Sequence, residues 1–214
     1  VPPSPNPFVE GFARLWKTFK NIRKHRSVFL FLAAYFFYID GVGTIITMST
    51  AYGRDLGFGI AMLITVLLVI QIVAFPCTLL YGRMAARFKT RTLLMTGIVI
   101  YCLITFLAFL LPFLEGHLVR YALFWAIALL VASSMGGIQA LSRSYFSKLI
   151  PPENSAEFFG FYNVLGKFAA IIGPILMGWV GAISGSSRVG ILSLLVLFLG
   201  GAMILSRVEV GKAR

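Results

Sequence analysis

The chain has 214 residues, of which 59% are hydrophobic and only 12% charged, and Lys and Arg outnumber Asp and Glu by 19 to 7. A soluble domain carries about 25% charged residues, so this composition excludes a soluble globular protein and reads as an integral membrane protein. The net charge of +12 does not read as a nucleic-acid footprint, because the basic residues sit between apolar stretches, as the positive-inside pattern requires.

Residues 1–7 are Pro-rich and are expected to be extended or disordered. The opening is neither basic nor apolar enough for a signal peptide, and the absence of an initiator Met is read as the mark of a fragment or a processed chain. Next, Phe12, Leu15, Trp16, Phe19 and Ile22 fall at helical spacing among Arg14, Lys17, Lys20, Arg23, Lys24 and Arg26. This predicts an amphipathic basic helix lying on an anionic cytoplasmic membrane face; a solvated basic linker is the alternative.

Six spans are predicted at 28–52, 58–80, 92–112, 118–142, 158–182 and 188–207, each near the roughly 20 residues that cross a bilayer as helix. The domain plan is therefore a cytoplasmic linker at 1–27, a transmembrane unit at 28–207 and a tail at 208–214. Arg83, Arg87, Lys89, Arg91, Arg143, Lys148, Arg207, Lys212 and Arg214 lie on the same side as the amphipathic segment; the other side holds only Arg54, Arg120 and Arg188. Both ends are then cytoplasmic, and Trp125 and Trp179 fall toward the outer side, where interfacial aromatics are expected. Gly41, Gly43, Pro76, Gly136, Gly137, Gly166, Gly173, Pro174 and Gly178 punctuate the spans, as small residues and tolerated kinks do in packed membrane helices.

The first span carries one carboxylate near its middle, Asp40. On insertion scales a charge there costs about 2.5–3.5 kcal/mol, so a partner or a purpose is expected. Gly43 and Thr44 lie one turn on and Thr47 two turns on, on the face of Asp40. The fifth span carries Lys167, with Asn163 one turn before it. Counted from the cytoplasmic side, Asp40 is roughly 18 Å deep and Lys167 roughly 14 Å, which predicts an Asp40–Lys167 contact, direct or through a ligand. Gln71 and Gln139 are the other deep polar groups, and Arg143 follows Gln139 by one turn. Read structurally, the charge pair pins two helices. Read functionally, it lines an aqueous path and binds a solute or a proton. Asp40 alone could carry protons; paired with Lys167 it would stay charged and act as a gate or zwitterion site.

Cys77 and Cys102 lie inside spans and read as small hydrophobes. His25 and His117 fall on opposite predicted sides, so they form no metal site together, and no phosphate loop or nucleophile elbow is present. Neither an enzyme nor a cofactor is expected.

Between spans two and three stands Gly82-Arg83-Met84-Ala85-Ala86-Arg87-Phe88-Lys89-Thr90-Arg91. It resembles the cytoplasmic loop motif of the major facilitator superfamily, Gly-x-x-x-Asp-Arg-x-Gly-Arg-Lys/Arg. Gly82, Arg87 and Arg91 match; Ala86 replaces the Asp and Lys89 the second Gly. Three further segments, Tyr38–Ile46, Gly137–Ser144 and Ile150–Pro174, are similar to the carboxyl-terminal half of the autophagy-related vacuolar amino-acid effluxer family and its bacterial relatives. Asp40, Arg143, Glu157 and Lys167 sit in blocks that recur in that family.

The resemblance implies an all-α integral membrane fold: six transmembrane helices as two inverted three-helix repeats, half of a 12-helix major facilitator transporter. Spans one and four would be equivalent, as would two and five. These four would line the cavity, and spans three and six would pack outside. It implies a permease of a small polar solute, with amino-acid efflux shown for fungal members, in a bacterial inner membrane. Asp40, Lys167, Asn163, Gln71, Gln139 and Thr44 would face substrate or proton. Gly82, Arg83, Arg87, Arg91, Arg143, Glu153 and Glu157 would form a cytoplasmic gate. Expected partners are the solute, a missing amino-terminal six-helix half or a second copy, and lipid at the basic segment. The alternative is a non-transporting membrane scaffold or sensor whose basic segment binds lipid.

Overall fold

The computed structural model describes residues 7–208, apart from the side chains of residues 7–10 and 12. The Pro-rich start, Lys212 and Arg214 of the tail, and the side chain of Phe12 lie outside the described residues. In chain order the helices are α1 (Pro7–Lys24), α2 (Arg26–Asp55), α3 (Ile60–Arg87), α4 (Thr90–Leu110), α5 (His117–Ser147), α6 (Ser155–Ser184), α7 (Ser187–Leu192) and α8 (Leu194–Leu205). Short 3-10 turns at Leu111–Phe113 and Pro152–Asn154 extend α4 and precede α6. Six stretches are long and apolar enough to cross a membrane, α7 and α8 together forming the last. The protein is a multi-pass integral membrane protein.

In hydrocarbon every backbone N–H and C=O must be satisfied within the segment, so an apolar run of this length becomes helix whatever its Gly content. The helices run past the predicted spans because their charged ends continue the same hydrogen-bond ladder outside the apolar layer. The consequence is largest for the Gly82–Arg91 motif. Gly82, Arg83 and Arg87 lie on the last turns of α3, Arg91 is in the first turn of α4, and only Phe88 and Lys89 connect the two helices. The predicted loop is thus almost entirely helical. The sixth span is broken at Ser193. At the opposite end from the basic clusters, here the far end, Gly185 stops α6 in the left-handed region (φ 64°), a conformation that glycine adopts without a Cβ penalty.

The packing has an internal symmetry. α3 packs on α5 and α6 on α2; α4 packs on α5 and α8 on α2; α4 and α8 also meet. Exchanging α2 with α5, α3 with α6 and α4 with α8 leaves these pairings unchanged. The six spans are therefore two interlocked three-helix repeats, as expected. α3 and α6 are the least buried spans. They carry exposed apolar rows, Ile60/Ile64/Leu68/Ile72/Phe75/Leu79 on one and Phe168/Ile172/Ile175/Trp179/Ile183 on the other.

The core is aromatic. Phe31, Tyr38, Tyr101, Tyr145, Phe146, Phe158 and Phe198 are fully or almost fully buried. Small residues admit them: a Cβ on Gly41 would stand 2.7 Å from the Phe198 ring, so α2 and α8 approach closely only because that atom is missing. A close backbone approach joins α6 to α7. A Cβ at Gly190 would lie 2.4 Å from the Met177 carbonyl oxygen. No side-chain rotation relieves that clash, so Gly190→Ala is expected to cost about 1–3 kcal/mol and to lower the thermal unfolding midpoint of the purified protein. An unchanged midpoint would mean that α6 and α7 are not held at this distance.

Candidate functional site

Asp40 is 1% exposed on the buried face of α2. A direct contact with Lys167 is not formed. Instead Asp40 Oδ1 accepts a hydrogen bond from the Gly173 backbone N–H at 2.9 Å. Its Oδ2 has no hydrogen-bond partner among the described residues. The reason is register. α2 and α6 run in parallel, and their packing sets Gly173 opposite Asp40. Lys167, six residues earlier, lies about 9 Å nearer the basic end and about 120° around α6. A depth count from the edge of each apolar run could not resolve that offset. Lys167 is exposed, and no hydrogen bond or ion pair to it is formed among the described residues.

Gly173 is suited to receive a carboxylate. Pro174 follows it and has no N–H, and its ring disturbs the helix around the carbonyl one turn back. A Cβ on Gly173 would stand 2.0 Å from Thr44 Oγ1 and 3.0 Å from Asp40 Oδ1. Thr44 is fully buried and returns its own hydroxyl to the Asp40 carbonyl at 2.8 Å. Asp40 and Thr44 thus form a junction between α2 and the Gly173–Pro174 step of α6, inside the six-helix unit.

The remaining predicted polar residues lie on the open surface. Gln71, Gln139, Arg143, Asn163 and Lys167 are all exposed. On α6, Asn163 and Lys167 share a strip with Gly160 and Ala170, about 125° from the apolar row of Phe168, Ile172 and Ile175. Along α5, Met135, Gln139 and Arg143 follow at one-turn spacing. Met135 and Gln71 border an apolar cavity of about 370 Å³ between α2, α3, α4 and α5, which Leu63, Val66, Phe124 and Val131 also line. At the other end the Arg143 guanidinium lies over the Phe159 ring at 6.0 Å, one turn before Asn163. A polar strip therefore runs from the cavity rim to the basic end.

Beneath Arg143 is a cluster that pattern reading missed. Tyr35 and Tyr162 stack at 4.3 Å, and Tyr162 stacks on Phe146 at 4.9 Å. Arg143 is within electrostatic reach of both tyrosines. Tyr38 and Ser142 share a buried hydrogen bond of 2.7 Å between α2 and α5. The signal that could have found them is Tyr35 and Tyr38 one turn apart on the span of Asp40, with Tyr162 on the span of Lys167, since a buried Tyr hydroxyl usually finds a partner.

Three of the residues expected at the basic end have structural partners. Glu157 accepts a hydrogen bond from the Thr18 hydroxyl of α1 at 2.5 Å. Arg91 donates to the Ser206 carbonyl at the end of α8, where a cation complements the helix dipole. Lys148 donates to Thr90 at 3.1 Å. Glu153 stands in the 3-10 turn before α6, and Gly82, Arg83 and Arg87 are exposed on α3.

A bundle of two interchangeable three-helix repeats, leaving polar strips uncovered beside lipid-compatible rows, is half of a major facilitator fold. Comparison with known sequences places it more narrowly. The family model described as vacuole effluxer Atg22 like matches residues 1–214, and the chain belongs to that family. It is similar to a protein of Bacillus subtilis named as an uncharacterized MFS-type transporter, 52% identical over 202 residues, covering 94% of this chain and 46% of the relative. It is also similar to autophagy-related protein 22 of Botryotinia fuckeliana, 27% identical over 210 residues, covering 87% of this chain and 35% of the relative. The protein of that name in Saccharomyces cerevisiae is 27% identical over 173 residues, covering 78% of this chain and 33% of the relative. The chain thus spans less than half the length of these curated relatives.

Proposed function

We propose that the complete protein is a secondary transporter of a small polar solute and that this chain supplies one wall of its path. The observation that carries this reading is the strip of Gln139, Arg143, Asn163 and Lys167, exposed on helices whose other outward faces are apolar. Ionisable groups at this depth are expensive against lipid and belong against protein or water. A second six-helix half, supplied by the rest of the polypeptide or by a second copy, would cover the strip and enclose the path. Lys167 and Arg143 would hold the anionic part of a zwitterion such as an amino acid, with Asn163, Gln139 and Gln71 as hydrogen-bonding lining.

Asp40 plays a different part in this scheme. It faces the Gly173–Pro174 step of α6, so proton uptake or release there would alter the grip of α2 on α6, coupling a proton to the movement of the helix that bears Lys167. Arg143, Glu153, Glu157 and the Gly82–Arg91 segment would close the path at the basic end, which would face the cytoplasm of a bacterial inner membrane, with both chain ends on that side. α1 would lie along the lipid there.

The test is release of solute from proteoliposomes that hold the complete protein and a mixed amino-acid pool, read by mass spectrometry. Selective release of one class supports the reading. No release from well-folded protein, with or without a pH gradient, would remove the amino-acid assignment and favour a scaffold or sensor.

A further inference from the structure

We propose that α1 senses the charge of the membrane surface and passes its position to α6 through the Thr18–Glu157 hydrogen bond. The inference rests on the reading that α1 lies along the lipid at the basic end, and its experiment separates the two. Thr18 is buried and Ile22 fully so, both turned toward the bundle. Phe19, on the next flank, meets Phe29 of α2 at 6.2 Å and Phe161 of α6 at 6.1 Å. Phe161 stands on the same side of α6 as the apolar row of Phe168 and Ile172. The aromatic flank of α1 is therefore continuous with the exposed apolar row of α6. Trp16 extends this flank; it stacks on Phe19 at 5.8 Å and is 60% exposed, the position of an aromatic at the headgroup level.

Beyond this flank lie Lys17, Lys20 and Lys24, exposed and at helical spacing, with Lys20 Nζ 5.8 Å from the Trp16 ring. A helix with its aromatics in the acyl boundary and a lysine row beside them fits an anionic phospholipid surface. The inner side of the helix supplies the transmission. The Thr18 hydroxyl donates to Glu157 in the first turn of α6, and the His25 ring meets Phe158 at 5.9 Å. Any shift of α1 toward or away from the headgroups pulls on the helix that carries Lys167 and Gly173.

The experiment is hydrogen–deuterium exchange on the complete protein in nanodiscs of phosphatidylcholine, with and without phosphatidylglycerol. The α1 amides are expected to exchange about tenfold more slowly when the anionic lipid is present, with slower exchange in the first turns of α6. The Lys17→Gln/Lys20→Gln/Lys24→Gln variant should lose both effects. Thr18→Val and Glu157→Leu should each keep the protection of α1 and lose that of α6. Equal exchange of α1 in the two lipids would overturn the lipid contact. Protection of α1 that leaves α6 unchanged in the unaltered protein, or α6 protection that survives both Thr18→Val and Glu157→Leu, would overturn the transmission. Solute movement is not read, so these outcomes are independent of the transport reading.

Discussion

Asp40→Asn is expected to lower solute flux by about 10- to 100-fold and to flatten its dependence on pH, while the helical fold stands. The magnitude follows from the single interaction at stake. A hydrogen bond to a charged group is worth about 1.5–3 kcal/mol, and the Gly173 N–H to Asp40 bond must be made and released if α2 and α6 exchange positions in the cycle. Asn keeps an oxygen for Gly173 and loses the exchangeable charge. It also replaces a buried carboxylate oxygen that has no partner among the described residues by a neutral amide, removing the cost of a buried charge, so the unfolding midpoint should hold or rise. Flux in a proteoliposome assay with imposed pH gradients decides the matter. Unchanged flux with unchanged pH dependence would remove Asp40 from the coupling and leave it a helix pin.

Lys167→Ala should show a loss of similar size with a different signature. Lys167 is exposed and unpaired among the described residues, so its removal should change stability by no more than about 0.5 kcal/mol. If its ammonium holds the anionic group of the solute, the half-saturation concentration should rise by about 10- to 100-fold, the worth of one charge-assisted hydrogen bond. Lys167→Arg should recover part of this. A variant with lowered stability and unchanged half-saturation would show that Lys167 supports the fold instead.

The different expectations for two residues that first look like a pair show what the pattern of residues could and could not carry. The number and order of the membrane-length spans were legible because apolar runs of bilayer length leave the backbone no alternative, though the break at Ser193 inside the last was not. That Asp40 is withdrawn from lipid was legible from its cost. Its partner was not, because pairing depends on the register of α2 against α6, and that is set by Gly173, Pro174 and the aromatic contacts around them. The exposed set of Gln71, Gln139, Asn163 and Lys167 was named from residue type and depth, but the turn of Asp40 and Thr44 into the bundle follows from packing alone. The Tyr35–Tyr162 stack and the Tyr38–Ser142 bond stayed hidden because aromatic residues at helical spacing read as core. The Gly82–Arg91 motif was found by its residues, yet its helical form shows only in the structure.

The most direct test of the central claim is thiol accessibility in the complete protein, with Cys77 and Cys102 replaced and single cysteines placed at Gln139, Asn163, Ile172 and Ile175. The account predicts rapid reaction of a membrane-impermeant, water-requiring thiol reagent at positions 139 and 163, slowed by saturating solute, and no reaction at 172 and 175. Equal inertness at all four positions would put the polar strip against protein or lipid and would contradict a water-filled path along this face.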